Sequence, residues 1–271
     1  MRIASLHTYP VKGCHRLDHD EARVEPIGLA GDRRWMVVDA DGTGVTQRES
    51  QLLTALRPQS RPGGLTLRAT GGRPPLDVTE PVGGDAAQVR VFRSKPYLSA
   101  RLADGDAHAW LTALLGRPVR LVWLADPDAR QVNAPHARPG DRVSLADACP
   151  LLVTTTASLA RLNVWLADDG DPPVPMTRFR PNVVVDTDTP WVEDDWIGRR
   201  LLLGDTELRV TNACGRCVVT GVDQESGHRG RQPLRALGRH RRVGTDLIFG
   251  VHLVPDRPGT VRVGDTAQLL S

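Results

Sequence analysis

Apolar and polar positions alternate in short runs along most of the first hundred residues. The runs at 3–9, 35–39, 44–47, 65–68, 76–78 and 88–92 are bounded by Gly, Pro or Asp, which is the pattern of strands separated by turns. A small β barrel or sandwich is expected there. Asp41-Gly42 tolerates positive φ and should return 35–39 into 43–46 as a hairpin. At 104–115 the period changes. Ala107, Trp110, Leu111 and Leu114 recur at helical spacing behind an acidic start, and Gly116 follows as a stop.

Strand-like runs resume at 118–124, 151–154, 182–185, 201–203, 207–211, 217–222, 247–254 and 260–263, with a helical pattern over 156–167. Residues 126–139, rich in Pro, Asp, Ala and Arg, suit a linker or a long loop over a site. The expected division is therefore an N-terminal β-barrel-like domain over 1–124 and a second β-rich domain with inserted helices over 125–271. The fold class is α/β, β-rich. No internal repeat or heptad run is visible.

Composition narrows the classes. With 271 residues, 40% hydrophobic and 25% charged, the chain is an ordinary folded protein rather than a disordered or collagen-like one. No apolar stretch reaches the ~18 residues of a membrane span, and MRIASLHTYPVKGC has no basic start leading into an apolar core, so neither a span nor a signal peptide is expected. Four cysteines, Cys14, Cys149, Cys214 and Cys217, are too few for a disulfide scaffold, and a cytoplasmic setting follows as the expectation. Only Lys12 and Lys95 are lysines among 35 basic residues, a skew that genome composition explains but that makes Lys12 conspicuous. Arginines and acids are interspersed, so no broad face for nucleic acid is implied. Arg229, Arg231, Arg235, Arg239, Arg241 and Arg242 nevertheless crowd one segment, where a local anion site is the economical reading.

Cys214-Gly215-Arg216-Cys217 carries the strongest local signal, and four readings compete. A thioredoxin-type pair needs a helix N-terminus to activate its first cysteine, whereas strand-like Val218–Val222 follows. Zinc needs further ligands, and His228, His240 and Cys149 form no second paired motif. Two buried cysteines flanking a bend, or one thiolate on a soft redox-active metal, remain. Arg178-Phe179-Arg180-Pro181-Asn182 and Asp32-Arg33-Arg34-Trp35 each lead into a strand, as Lys12 follows one, so cationic groups sit at three strand ends. Each is ordinarily a solvated rim residue. Together they suit an anionic ligand, because arginine offers a planar fork matched to phosphate.

The combination of YPVKGC, GDRRW, FRPNVVV, WVEDDWIGRRLLLGDTELRVTNACGRC, TGVDQESG and GTVRVGD resembles the MOSC family in its two-part form with an N-terminal β-barrel domain, and within it the amidoxime-reducing component group. That resemblance implies a molybdenum cofactor of the molybdopterin type. It implies Cys217 as the metal ligand and a catalytic residue, Arg180 and Asn182 at the pterin phosphate, and Lys12, Gly13, Arg33, Gly215 and Arg216 at further cofactor positions. Asp147 matches a catalytic acid near the metal, and Phe249-Gly250 falls in the family's late FG segment. Where relatives carry small hydroxyl residues after the acid, this chain has Ala148 and Cys149 at cofactor positions, which removes those hydroxyls as contacts. Arg216 is expected to favour ionisation of Cys217, and Cys214 to be a packing residue with a raised thiol pKa.

The implied reaction is reduction of small N-hydroxylated compounds such as amidoximes and hydroxylamines. No iron–sulfur spacing and no GxGxxG fingerprint is present, so a separate electron-donor protein of flavin or iron–sulfur/haem type is expected. The alternative is a non-catalytic cofactor carrier, or a sulfur-transfer module using a persulfide on Cys217.

Overall fold

The computed structural model describes residues 1–132 and 137–270, so part of the expected loop at 126–139 lies outside the described residues. Nine strands form the largest sheet. Along its path lie Ala267–Leu270, Arg200–Leu203, Thr206–Gly215, Asp246–Arg257, Leu151–Thr155, Val183–Asp186, Arg2–Thr8 and Leu17–His19, with Arg242–Val243 paired onto Asp246–Arg257. Leu151–Thr155 and Val183–Asp186 are parallel. Parallel neighbours need a long crossover, and the helix Thr156–Asp168 supplies it. Its first turn is capped by Thr155, whose Oγ1 accepts from Ser158 N at 3.3 Å.

Arg2–Thr8 and Leu17–His19 at the start of the chain belong to this late sheet, while Glu21–Glu25 joins a separate three-stranded sheet with the late strand Gly259–Arg262 and with Gly28–Leu29. Arg2–Thr8 is antiparallel to Val183–Asp186. The rest of the N-terminal half builds a four-stranded sheet from Trp35–Val38, Arg120–Trp123, Leu98–Leu102 and Ala86–Val89, and a three-stranded meander from Gln59–Arg61, Gly64–Leu67 and Leu76–Thr79. The helix Gly105–Leu115 buries Ala107, Leu111 and Leu115 against this half. Asp104 caps it by accepting from Ala107 N at 2.8 Å, and Gly116 ends it at φ 67°. Among the described residues no helix is long and apolar enough to cross a membrane.

The β-rich class is as the alternation implies, but closure and three local elements differ. Among the described residues the sheets are not closed, although the start of the chain meets 264–267 through the bridge Arg2 to Thr266 and through Ile3 N to Asp265 O at 2.9 Å, Gly264 N to Ile3 O at 2.8 Å and Ala267 N to Met1 O at 2.9 Å. Residues 44–47 do not continue as a strand. The Asp41-Gly42 turn forms, with Gly42 N donating to Asp39 O, and Val45 N still reaches Val37 O at 2.8 Å. The chain then leaves the ladder because Gln47 turns inward to Gly13 O at 2.7 Å. Residues 217–222 are also not a strand but the 3₁₀ turn Val218–Gly221, despite their β-branched side chains. Gly221 O accepts from Gly230 N at 2.9 Å and from Arg178 Nη1 at 2.9 Å, and a Cβ at 221 would sit 2.6 Å from Gly230 O. These tertiary contacts outweigh local propensity. The helix Leu234–His240 was not signalled by periodicity.

A polar seam joins the two halves. Gln47 and Gln224, both nearly inaccessible, exchange amide hydrogen bonds of 2.9 and 3.0 Å. At the surface Glu225 receives His15 at 2.9 Å, Arg16 at 3.0 Å and Arg57 at 2.8 Å. Desolvation acts to raise the Glu225 carboxyl, but Arg57, His15 and Arg16 hold it at about 2. A depressed carboxyl pKa adds stability above its ordinary value of 4.5, and that stability fades as pH falls towards 2. Glu225→Gln should therefore flatten the fall of melting temperature between pH 4.5 and 2, as read by thermal denaturation. Identical slopes for the variant and the parent would show that the clasp does not form.

Candidate functional site

The strand Arg2–Thr8 delivers Tyr9 and Lys12 to the seam between the halves. Lys12 N donates to Trp35 O at 2.8 Å, so the segment carrying Lys12 lies against the strand that follows Arg33. Arg33 and Arg180 both adopt left-handed backbone conformations, φ 49° and 54°, which are uncommon for residues with a side chain. Arg33 is held by its N to Tyr9 O and by Leu145 N to its own O. Arg180 terminates the 3₁₀ turn Met176–Phe179. Both guanidiniums lie on the Tyr9 ring, 4.4 and 4.1 Å from its centroid. Tyr9 Oη donates to Pro181 O at 3.1 Å, and burial pushes its phenol up to about 12, so the ring stays neutral between them.

These groups open into one cavity of about 320 Å³, near the lower end of the range for small-molecule sites. Its walls bring together every catalytic and cofactor position that the family resemblance implies, but none of the arginines of 229–242. Lys12, Gly13 and Arg33 come from the N-terminal half, and Asp147, Ala148 and Cys149 from the approach to Leu151–Thr155. Arg180 and Asn182 precede Val183–Asp186, while Gly215, Arg216 and Cys217 follow the end of the long strand Thr206–Gly215. Among the described lining residues five cations, Lys12, Arg33, Arg48, Arg180 and Arg216, face one carboxylate, Asp147. The cavity is electropositive.

The contacts separate the residues by role. Lys12, almost fully buried, pairs with Asp147, whose side chain is 60% exposed to the cavity. Asp147 is open to the cleft yet sunk below the outer surface, so desolvation acts to raise its carboxyl; Lys12, Arg33 and Arg48 override this and hold it at about 2. Burial pulls the Lys12 ammonium below the usual lysine range, with Asp147 opposing. Asn182 is engaged within the protein: its Oδ1 accepts from Arg33 Nη1 at 3.1 Å and Leu152 N at 3.2 Å, and its Nδ2 donates to His7 O at 3.2 Å. It shapes the strand mouth. Arg180 Nη1 donates to Gln224 Oε1 at 2.8 Å, while its buried Nη2 has no partner among the described residues.

The two cysteines of the Cys-Gly-Arg-Cys turn differ in a way that reverses two expectations. Arg216 turns away from Cys217 and donates Nη1 to Cys214 Sγ at 2.8 Å and Nη2 to Phe179 O at 2.6 Å, leaving its buried Nε unpartnered. Burial pushes the Cys214 thiol up, but Arg216 and His252 outweigh it and bring it down to about 6, rather than raising it as packing alone would. Cys217 is half-buried, extended at φ −117° as the cap of the turn Val218–Gly221, and within hydrogen-bonding reach of Arg48. Cys149 is buried with its thiol pushed up to about 11, Sγ lying 3.9 Å from Thr211 Oγ1. Among the described residues no three of His, Cys, Asp or Glu gather as a metal cluster, so the zinc reading has no ligand set.

Sequence reasoning missed Arg48, Phe92, Gln224 and His252. Arg48 and Lys12 both lie over the Phe92 ring, at 4.9 and 4.8 Å. A signal for His252 was available: an imidazole inside the apolar run Phe249–Val254 must face either a partner or a cavity. Arg34 and Arg178, adjacent to predicted residues, point elsewhere. Arg34 donates to Leu124 O and Arg178 pairs with Asp223 at 3.2 Å.

Two family models match the chain: the MOSC domain over residues 140–268 and the MOSC N-terminal beta barrel domain over residues 1–118. Human mitochondrial amidoxime-reducing component 1 is 33% identical over 99% of this chain and 82% of its own length. Human mitochondrial amidoxime reducing component 2 is 30% identical over 97% of this chain and 82% of its own length. The molybdenum cofactor sulfurase of Danio rerio is 29% identical over 93% of this chain, which spans 31% of that protein.

The asymmetry between the cysteines is measurable without any ligand. Thiolate absorbance near 240 nm should show a step at about pH 6 that disappears in Cys214→Ser and persists in Cys149→Ser. A step unchanged by Cys214→Ser would place the ionised sulfur elsewhere.

Proposed function

The chain belongs to the MOSC family in its two-domain form, and on that premise we propose that it binds a molybdenum–pterin cofactor in the cavity between Lys12 and Cys217 and reduces small N-hydroxylated compounds such as amidoximes and hydroxylamines. The observation that carries this reading is the charge and donor inventory of one pocket. Five cations face a single carboxylate, and buried Arg180 Nη2 and Arg216 Nε lack partners among the described residues. Unsatisfied guanidinium donors in an electropositive cleft suit a phosphate-bearing ligand. The residues present therefore fit the cofactor of the family.

When bound, the cofactor would supply the oxygen-acceptor and two-electron chemistry that cleaving an N–O bond requires. Arg180, Arg33 and Arg216 would hold its anionic end, their forks already aimed by Tyr9, Asn182 and Phe179. Cys217, half-buried and extended, would be the thiol that ligates the metal. Arg48 lies within hydrogen-bonding reach of that sulfur. Asp147 is an ionised acceptor at neutral pH, so the proton for the departing oxygen is held at Lys12 Nζ, and Asp147 positions it and can pass on only a proton it receives. Ala148 lines the wall without a polar side chain and Cys149 is a protonated thiol, so neither replaces the hydroxyl contacts of relatives by ionisation.

The test is metal analysis and turnover of an amidoxime by the purified protein with reduced methyl viologen as donor. Stoichiometric molybdenum with turnover supports the reading, molybdenum without turnover points to a cofactor carrier, and zinc at full occupancy overturns it. Cys217→Ser should abolish turnover while retaining pterin, because most binding contacts are remote from sulfur. Arg180→Lys keeps the charge but loses the fork, so pterin content should drop about tenfold with folding intact. Full molybdenum and activity in Arg180→Lys would reduce that residue to a rim position.

A further inference from the structure

Charge is unevenly shared along the chain. Residues 229–242 hold six arginines and no carboxylate. Those six charges exceed the +3 of the whole chain, so the remainder is net acidic and the molecule is electrically polarised. The proposed cavity uses none of these arginines.

The fold puts this segment beside the cavity. At its start Arg229 bridges to Val222 and Gly230 N donates to Gly221 O at 2.9 Å, against the turn that Cys217 caps. At its end Arg242–Val243 pairs with Asp246 and Leu247, and Leu247 O accepts from Arg216 N at 2.7 Å. The basic segment therefore flanks the Arg216–Cys217 backbone on both sides. The helix Leu234–His240 turns Ala236 and Leu237 inward and leaves Arg235 and Arg239 exposed. Of the six, Arg239 is paired with Asp169 and Arg241 with Asp194; the other four form no ion pair among the described residues, though Asp246 lies nearby. Two exposed apolar side chains sit within this frame, Val243 at 67% and Val218 at 39%. A small apolar contact ringed by one sign of charge suits a transient, electrostatically steered encounter.

We propose that this surface docks a separate acidic electron-carrier protein that delivers electrons to the cavity. The proposal rests on the reductase reading above. Each turnover breaks the substrate's N–O bond and consumes two electrons and two protons to leave an N–H bond and water. The carrier is the species oxidised, and a one-electron carrier docks twice per turnover. Net acidity of the carrier follows from charge complementarity with unpaired arginines, and its contact beside Cys217 shortens the path to the metal ligand.

The test uses the triple variant Arg231→Glu/Arg235→Glu/Arg242→Glu, with reduced acidic [2Fe–2S] ferredoxin as the protein donor and reduced methyl viologen as a donor that needs no docking. In the variant, KM for ferredoxin should rise about tenfold or more and lose its dependence on salt, while the viologen-driven rate stays within about twofold. Binding of ferredoxin to the cofactor-free chain, measured calorimetrically, should weaken by a similar factor. Unchanged KM and Kd in the variant would overturn the proposal, as would a parent chain that does not bind ferredoxin at low salt. Equally tight binding of a short DNA duplex, lost in the same variant, would also overturn it by showing a general polyanion surface. Absence of viologen-driven turnover in the parent would count against the reductase reading instead, and the binding measurement would still decide the docking surface.

Discussion

Mutual repulsion among five cationic side chains in one cavity is the constraint around which the rest of the molecule is arranged. Two like charges roughly 8 Å apart repel by about 2 kcal/mol at an effective dielectric near 20. Asp147 offsets the charge of Lys12, Asp32 that of Arg33, and Tyr9 offers a neutral ring to both Arg33 and Arg180. Desolvated cation–π contacts reach about 2 kcal/mol, the same order as the repulsion. The cluster can therefore persist in the folded chain, but only with every compensating group in place. Left-handed Arg33 and Arg180 show how tightly those groups are specified, since such backbone costs on the order of 1–3 kcal/mol and persists only where surrounding contacts impose it.

The compensating groups come from distant parts of the chain, so the seam between the halves and the cavity are one structure. Gln224 illustrates this: one amide accepts from Arg180 and exchanges hydrogen bonds with Gln47, tying the candidate anion site to the contact between the halves. A substitution at Gln47, outside every motif, would loosen Arg180 through that amide. Structural and ligand-facing roles are not separable here.

Much of this was legible in the sequence wherever a local signal existed. Lys12, Arg33, Arg180 and Cys217 stand beside strand ends, where side chains project into a common mouth, and the helix at 105–115 carried its own cap and stop. The misses share a different origin. The strand expected at 217–222 failed because backbone contacts to Gly230 and Arg178 override β-branched propensity, and no local pattern records them. The direction of Arg216 was illegible for the same reason: adjacency to Cys217 suggested one sulfur, while Phe179 O and Cys214 Sγ, brought in by tertiary folding, took its donors. Arg48 lies in a segment whose periodicity says nothing of the cavity it lines, and no local pattern records the amide contacts of Gln224 to Gln47 and Arg180.

The pairing of Arg2–Thr8 with Val183–Asp186 has a consequence for the order of assembly. Some 180 residues separate the partners, so the central sheet gains that strand only after a very long loop has closed, and contacts of such sequence separation are the slow ones in folding. During synthesis the strand that leads to Tyr9 and Lys12 can pair locally with Leu17–His19, but its other edge must wait for Val183–Asp186. The cavity is thus among the last features to form, and a chain with a complete cavity has already passed its slowest closure.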